Sequence, residues 1–372
     1  MSIGRRALLK SSAALCAAAV LPRTADAQIR FDPQPGRWRN FQVVTRVELP
    51  AAEGVSKAWI PVPAVNEPDW FRSLGNEWTS NGHASLVRDP KYPKYAAEML
   101  HVEWATGEKR PFLKVNSRIA TRDRSIDLEK PGSSAELSEE EHRVNTQASE
   151  LIPVGGIVKQ ASDNIVAHAN AKTDLEKARA IYEWVVENTF RDANVPGCGI
   201  GDIAAMLNSG RLGGKCADIN ALYVGLVRAA GVPARDIYGI RVAPSKFGYK
   251  SLGAASDVIS KAQHCRSEVY LAGFGWVPVD AADVRKVMLE ETPEGLAMND
   301  PKVVAARKVL FGSWEANWLA YNLAHDIELP GSNGPRLPFL MYPQAETANA
   351  RLDCLDFASL KYTITARELT SA

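Results

Sequence analysis

Residues 213–235 read GGKCADINALYVGLVRAAGVPAR, and this stretch places a cysteine at the start of a helix. One apolar face recurs at the spacing of an α-helix: Ile219, Leu222, Tyr223, Leu226, Val227 and Ala230. Gly231 is a typical residue for ending a helix, and Pro233 cannot continue one. Cys216 therefore falls at or before the first turn, where unpaired N–H groups and the helix dipole favour a thiolate. A cysteine that only packs gains nothing from this position, so the stretch predicts a nucleophile.

A second stretch, QHCRSEVYLAGFGWVPVDAAD from residue 263 onward, predicts a hairpin that holds a histidine and an aspartate. HCRSEVYL is typical of a strand, AGFG of a turn and WVPVD of the returning strand. Pairing of Tyr270 with Phe274 sets a register in which His264 lies directly opposite Asp280. Asp280 would then bind one imidazole nitrogen and leave the other for Cys216, because a nucleophile needs a base and the base an orienting group. The sequence thus predicts Cys216, His264 and Asp280 as catalytic residues.

Two alternatives to this catalytic hypothesis stay open. Cys198, Cys216, His264 and Cys265 could supply four zinc ligands, although His264 and Cys265 are adjacent and point to opposite faces of a strand. The sequence has no CxxC or HExxH spacing, so we expect neither a metal nor a cofactor. The other alternative is a binding module with an inactive triad, against which the presence of all three residue types argues. With Cys216 free, Cys198, Cys265 and Cys354 allow at most one intramolecular disulfide.

The order of strand-like and helix-like patterns predicts two domains. Short strand patterns such as FQVVTRVEL, KAWIPV and FLKVNSRIA fill residues 38–130 without helices between them, which is typical of a small β-sandwich. Residues 28–37 are predicted to be a linker, and the polar run LEKPGSSAELSEEEH marks the end of the sandwich. TDLE at 173–176 is a capping box that predicts the start of a helix. We therefore expect a catalytic domain with a C-terminal extension over residues 140–372.

The N-terminal residues 1–27 are typical of an export signal. A basic start, a short apolar run and the tripeptide ADA predict cleavage before Gln28. The pattern RRALLK favours twin-arginine export over an ordinary secretory signal, and the expected location is the periplasm. The apolar run is too short to span a bilayer, so no stable membrane insertion is expected after cleavage. Removal of this segment, which has four basic residues and one acidic residue, changes the formal net charge from +1 to −2. This near-neutral body gives no reason to expect nucleic-acid binding.

The two stretches resemble the transglutaminase-like superfamily, whose members carry a Cys–His–Asp triad in this chain order on a papain-like core. EKARAIYEWVVENTF, PGCGIGD and WLAYNLAHDIELPG extend the resemblance over about residues 150–345. The resemblance implies an α+β fold in which helices pack on an antiparallel sheet. It also maps the nucleophile, base and orienting acid to Cys216, His264 and Asp280. Many members have an aromatic residue two positions after the histidine, where this chain has Arg266.

The chemistry implied by the resemblance is acyl transfer on amide bonds through a thioester on Cys216. Transfer to water would make the protein a peptidase or amidase, and transfer to an amine would make it a cross-linking transglutaminase. Use of a thioester donor would make it an acyltransferase. The triad itself does not choose between the acceptors, because the first half-reaction is common to them. For an exported protein we favour hydrolysis of peptide or isopeptide bonds, with a peptide or protein as the substrate.

Overall fold

The computed structural model describes residues 30–51, 54–89 and 96–370, and the predicted export signal lies outside these ranges. The chain from Phe31 to its C-terminus forms one compact unit. Within the described ranges, no helix combines the length and the apolar character that a membrane crossing requires.

The first part of the chain forms strands only. They are β1 (Arg39–Glu48), β2 (Ser56–Pro61), β3 (Phe71–Ser80), β4 (His83–Arg88), β5 (Glu98–Trp104), β6 (Phe112–Thr121) and β7 (Arg124–Ser125). Helices then alternate with strands, as α1 (Glu139–Thr146), α2 (Gly156–His168), α3 (Asp174–Asn188), β8 (Phe190–Arg191), α4 (Ile203–Ser209), β9 (Gly213–Gly214), α5 (Cys216–Ala229), β10 (Ala234–Arg241), β11 (Gln263–Leu271), β12 (Gly275–Val279), α6 (Ala281–Glu290) and α7 (Pro301–Val309). The last elements are β13 (Ser313–Trp314), β14 (Trp318–Asn322), β15 (Gln344–Glu346) and β16 (Lys361–Leu369).

Two four-stranded antiparallel sheets form the predicted β-sandwich, but the end of the chain completes both. Their strand orders are β16-β1-β6-β3 and β15-β2-β5-β4. The sequence analysis placed β15 and β16 in an extension of the catalytic domain, whereas β16 pairs with β1 along its length. The reason is the alternation in β16, where Tyr362, Ile364 and Ala366 are buried at every second position and fit the sandwich core. That core also contains Trp318 and Leu319 of β14, so both halves of the chain share it.

The catalytic half is the predicted α+β arrangement of helices on an antiparallel sheet of order β12-β11-β10-β14. Helix α5 packs on β10 and β11 and is buried along its whole length. The predicted capping box is present, because Thr173 Oγ1 accepts from the Glu176 N–H at 3.2 Å and Glu176 accepts from the Thr173 N–H at 2.9 Å. Gly231 has a φ of 82°, the left-handed conformation expected where α5 ends.

The predicted hairpin of β11 and β12 forms, but the predicted register is wrong by two residues. Tyr270 faces Trp276 rather than Phe274, and Leu271 faces Gly275. The turn needs glycines in left-handed conformations, and Gly275 at its end has a φ of 73°. A shift of two residues keeps every side chain on its own face of the sheet, so the error does not separate the histidine from the aspartate.

The predicted linker contributes to the core. Phe31 is 4% exposed and contacts Phe247 and Tyr249, with ring centroids 5.4 and 4.7 Å away. The segment before β1 is therefore held against the catalytic half by aromatic packing.

Candidate active site

A cleft of about 500 Å³ opens where the N-terminus of α5 meets the start of β11. Cys216, the first residue of α5, and His264, the second residue of β11, both line it. Cys216 is 3% exposed, so a ligand reaches the sulfur only through this cleft. The sulfur lies at the positive end of the α5 dipole, because Cys216 is the first residue of the helix.

The imidazole of His264 contacts a carboxylate from the next element of the chain. Its Nε2 lies 2.7 Å from Oδ2 of Asp280, and both side chains are buried. Asp280 precedes α6 and uses its other oxygen, Oδ1, to accept from the N–H of Asp283 at 3.0 Å as the helix cap. Nδ1 of His264 is thereby left free of Asp280, and the imidazole is one of the groups that lower the pKa of Cys216. The three residues singled out by the sequence meet in one place.

The surroundings favour a thiolate–imidazolium pair. The neighbouring thiols of Cys198 and Cys265, together with His264, hold the pKa of Cys216 well below its usual value despite burial. Burial disfavours a charged His264, but the carboxylates of Asp283 and Asp280 outweigh it and raise the pKa of the imidazole. A lowered thiol pKa beside a raised imidazole pKa favours transfer of the proton from the sulfur to the ring.

A second carboxylate beside the histidine was not found from the sequence. Oδ1 of Asp283 lies 3.3 Å from Nε2 of His264. Both oxygens of Asp283 bind the buried Arg241, at 2.6 and 2.7 Å, and the charges of Arg241 and His264 lower the pKa of Asp283 despite burial. Asp283 stands three residues after Asp280, one turn further along α6. Two residues three positions apart in a helix can contact the same side chain, so the spacing indicates that Asp283 could share His264 with Asp280. It gives no indication of Arg241 on β10.

Asn220 ties together the three elements that carry the predicted triad. It stands on α5 one turn after Cys216, and its Nδ2 donates to the carbonyl of Cys265 at 3.0 Å and to Asp280 Oδ1 at 3.2 Å. Its Oδ1 accepts from the N–H of Ala282 at 3.2 Å. Because one fully buried amide bridges α5, β11 and α6, it fixes the relative positions of Cys216, His264 and Asp280.

The glycine-rich turn before α4 holds a further cysteine against the nucleophile. The carbonyl of Cys198 accepts from the N–H of Ala217 at 2.9 Å. Asp218 accepts from the N–H groups of Gly201 at 2.9 Å and Lys215 at 2.9 Å, so it joins the turn to the start of α5. A Cβ at Gly199 would lie 1.8 Å from Asp218 Oδ2, which explains the need for glycine there. All four described cysteines are free thiols.

Gln263 immediately precedes the histidine at the edge of the cleft. It is 9% exposed and lines the cleft. Its Nε2 has no hydrogen-bond partner within the described ranges. A buried amide without a partner is costly, and a bound carbonyl oxygen would satisfy it. No motif in the sequence indicates a role for Gln263.

Arg266, where relatives have an aromatic residue, does not line the cleft. Its guanidinium lies over the rings of Trp314 and Trp318, at 5.1 and 4.8 Å from their centroids. Burial lowers its pKa to about 10. Its Nε is 3.7 Å from Oδ2 of Asp280, so this arginine places a positive charge beside the carboxylate.

The donor atoms of His264, Asp280 and Asp283 lie within 4.8 Å of one another, which is close enough for one metal ion. Asp283 gives both oxygens to Arg241, and Asp280 accepts from His264 and Asn220, so the carboxylates are already engaged. The four zinc ligands considered from the sequence do not form such a group within the described ranges. This donor set therefore does not fit a metal ion.

The residues of the site lie within a segment that matches a known protein family. The model of the transglutaminase-like superfamily matches residues 159–281, which include the three predicted catalytic residues. An uncharacterized protein of Haemophilus influenzae is 36% identical over 333 residues, covering 86% of this chain and 88% of the relative. Among solved structures, a candidate cysteine protease from Cytophaga hutchinsonii is 12% identical, with a TM-score of 0.49 over 89% of this chain and 99% of that one. The periplasmic domain of TgpA from Pseudomonas aeruginosa is 14% identical, with a TM-score of 0.33 over 69% and 93%.

Proposed function

Because the chain belongs to the transglutaminase-like superfamily, we propose that it catalyses acyl transfer on amide bonds through a thioester on Cys216. The observation that carries the proposal is the arrangement of Cys216 at the helix start with His264 held at 2.7 Å by Asp280, in one cleft. Nucleophile, base and orienting acid are thus in the order that covalent catalysis requires.

The first half-reaction forms the thioester. The thiolate of Cys216 attacks the amide carbon, and the carbonyl oxygen becomes an oxyanion. The N–H of Cys216, which has no intrahelical acceptor, and Nε2 of Gln263, which has no partner in the described ranges, are the donors suited to that charge. Nδ1–H of His264 then protonates the leaving amine as the C–N bond breaks.

The second half-reaction releases the acyl group. Neutral His264 takes a proton from the incoming water, whose oxygen attacks the thioester carbon and expels the Cys216 thiolate. Asp280 stabilises the imidazolium that forms again. The product is a carboxylic acid, and the enzyme returns to its starting state. An amine in place of water would give transamidation instead.

We favour hydrolysis of peptide or isopeptide bonds over transamidation. The rim of the cleft is open to solvent, because Val258 is 60% and Leu355 is 40% exposed, and water can therefore reach the thioester. A site that favours an amine acceptor would have to exclude water. The partition between water and an added amine decides between the two activities.

Selective alkylation of Cys216 tests the proposed chemistry. At mildly acidic pH, iodoacetamide should modify Cys216 well before Cys354, whose pKa is raised by burial. Cys216→Ala should abolish peptide hydrolysis and leave the free energy of unfolding nearly unchanged, whereas the matched variant Cys354→Ala should retain activity. Equal alkylation rates for the two cysteines would contradict a thiolate nucleophile.

A peptide mixture incubated with and without glycine methyl ester separates the acceptors. Mass spectrometry should detect new peptide termini in both samples and little amine incorporation. Amine incorporation that exceeds hydrolysis would assign the protein to cross-linking, and neither product would favour a binding module with an inactive triad.

Export of the protein remains a proposal. The signal that supports it lies in residues 1–27, and the predicted cleavage before Gln28 is checked by sequencing the N-terminus of the protein recovered from the periplasm.

A further inference from the structure

The formally charged acidic and basic side chains that line the cleft are all basic. Among the described residues that line it no aspartate or glutamate occurs. Its basic side chains are Arg191, Lys215, Arg241, Lys261 and Lys286. The chain as a whole has a formal net charge of only +1, so this imbalance belongs to the cleft and not to the protein surface in general.

Three of the five cations form ion pairs, but with only two carboxylates behind the cleft. Arg241 is neutralised by Asp283. Arg191 and Lys286 share the single carboxylate of Glu290, with Lys286 Nζ at 3.7 Å from it. One carboxylate between two cations leaves a positive charge at this side.

Lys215 and Lys261 add charge on two further sides of the nucleophile. Lys215 immediately precedes Cys216, and Lys261 precedes β11 and lies 5.2 Å from the ring centroid of Phe357. Neither lysine forms an ion pair within the described ranges. The acidic residues of the nearby wall, Asp353 and Asp356, use Oδ1 to accept from N–H groups of their own loop, at 2.8 and 2.9 Å.

We propose that the cleft selects acidic peptides, with carboxylate side chains flanking the amide that Cys216 attacks. This inference rests on the proposed function, because a thiol nucleophile needs an acyl carbon, which a peptide supplies and a nucleic acid does not. Lysine ammonium groups bind carboxylates as point charges and adapt to several positions of the partner. A low-dielectric cleft with one sign of charge also concentrates anionic substrates.

The alkylation rates of Cys216 with iodoacetate and iodoacetamide test the charge of the cleft without a known substrate. Both reagents need the same thiolate, so the ratio of their rate constants is independent of the thiol pKa. Lys261→Gln and Lys215→Gln should each lower the iodoacetate-to-iodoacetamide ratio about twofold to fivefold at low salt. The matched variant Lys114→Gln, in β6 of the sandwich, should leave it unchanged. Raising the salt concentration should compress the differences.

A peptide pair extends the test to the substrate class. Two N-acetylated pentapeptides, one with glutamates and one with glutamines on either side of the central amide, are compared as protectants of Cys216 against iodoacetamide. The glutamate peptide should protect at a lower concentration, and Lys261→Gln should remove most of its advantage. Equal protection, or ratios unaffected by both lysine variants, overturns the inference while leaving Cys216 reactivity intact. Charge-dependent protection without hydrolysis or transamidation of any peptide would instead refute the proposed function.

Discussion

Replacing Asp280 with asparagine tests the geometry of the site most directly, because both oxygens of this carboxylate accept hydrogen bonds. Oδ2 faces His264 Nε2 at 2.7 Å, while Oδ1 accepts from the Asp283 N–H at 3.0 Å and from Asn220 at 3.2 Å. Three donors surround this carboxylate. An asparagine side chain offers them only one acceptor oxygen, and its other end is a donor NH₂ group. We expect its oxygen to keep the two partners at Oδ1, which turns the amide NH₂ group toward His264.

That orientation imposes the wrong tautomer. Nε2 of His264 would accept from the amide and Nδ1 would hold the proton, so the ring could no longer take the proton of Cys216. A charge-assisted hydrogen bond contributes about 1.5–3 kcal/mol, which corresponds to about one to two pKa units. The apparent pKa of Cys216 should therefore rise by about one to two units. The turnover number should fall about 10³-fold to 10⁴-fold, as in other triads that lose the orienting carboxylate.

The pH dependence of Cys216 alkylation by iodoacetamide measures this shift, and urea unfolding measures the cost in stability. Because the cap of α6 is retained, Asp280→Asn should change the free energy of unfolding by less than about 1 kcal/mol. Asp280→Ala removes the cap as well and should be less stable than Asp280→Asn. If the alkylation profile of Asp280→Asn matched that of the wild type, Asp280 would not orient the base.

In that event the neighbouring carboxylate would be the alternative orienting group. Asp283 lies 3.3 Å from the same nitrogen, but it is bound to Arg241 through both oxygens. Asp283→Asn would leave the Arg241 charge buried and unpaired, at a cost of about 3–5 kcal/mol. We therefore expect Asp283→Asn to destabilise the protein far more than Asp280→Asn.

Three further predictions concern other buried polar groups. Gln263→Ala should lower the turnover number about tenfold or more with little change in thiol pKa, since it removes a donor for the oxyanion; an unchanged turnover number would exclude that role. Asn220→Ala should cost about 1–3 kcal/mol in urea unfolding and slow alkylation of Cys216, because it leaves buried partners unpaired; full retention of both would show that the bridge is dispensable. Burial raises the pKa of Asp236 to about 7, and Nε2 of His325 lies 3.5 Å from its Oδ2. Between about pH 4 and pH 7 the folded protein keeps the proton of Asp236 while the unfolded chain loses it. The free energy of unfolding therefore falls as the pH rises through this range, by up to about 4 kcal/mol. Asp236→Asn should flatten this pH dependence in urea unfolding, and a curve that kept its slope would show that another group is responsible.

Much of the site was predictable because its cues are local. The position of Cys216 at the first residue of α5 follows from apolar spacing, a glycine stop and a proline. The face shared by His264 and Asp280 follows from the alternation of a strand, which a two-residue error in register does not change. Local periodicity fixes which side of an element a residue occupies, and that was enough to place His264 and Asp280 on one face.

Other features depend on which distant elements pack together, and no local pattern encodes that. Asn220 bridges three elements, and Arg241 approaches Asp283 from another strand, only after the sheet and helices have assembled. The return of β16 to the first strand of the sandwich joins residues more than 300 positions apart in sequence.

By itself the sequence determined the position of Cys216 at a helix start, the strand faces of the histidine and aspartate, and the mixed α+β class, because each follows from short-range spacing. Only the tertiary structure decided the register of the hairpin, the closure of the sandwich by the C-terminus, the second carboxylate at the imidazole and the positive lining of the cleft. These depend on long-range packing, in which charges that are scattered along a nearly neutral chain come to face one cavity.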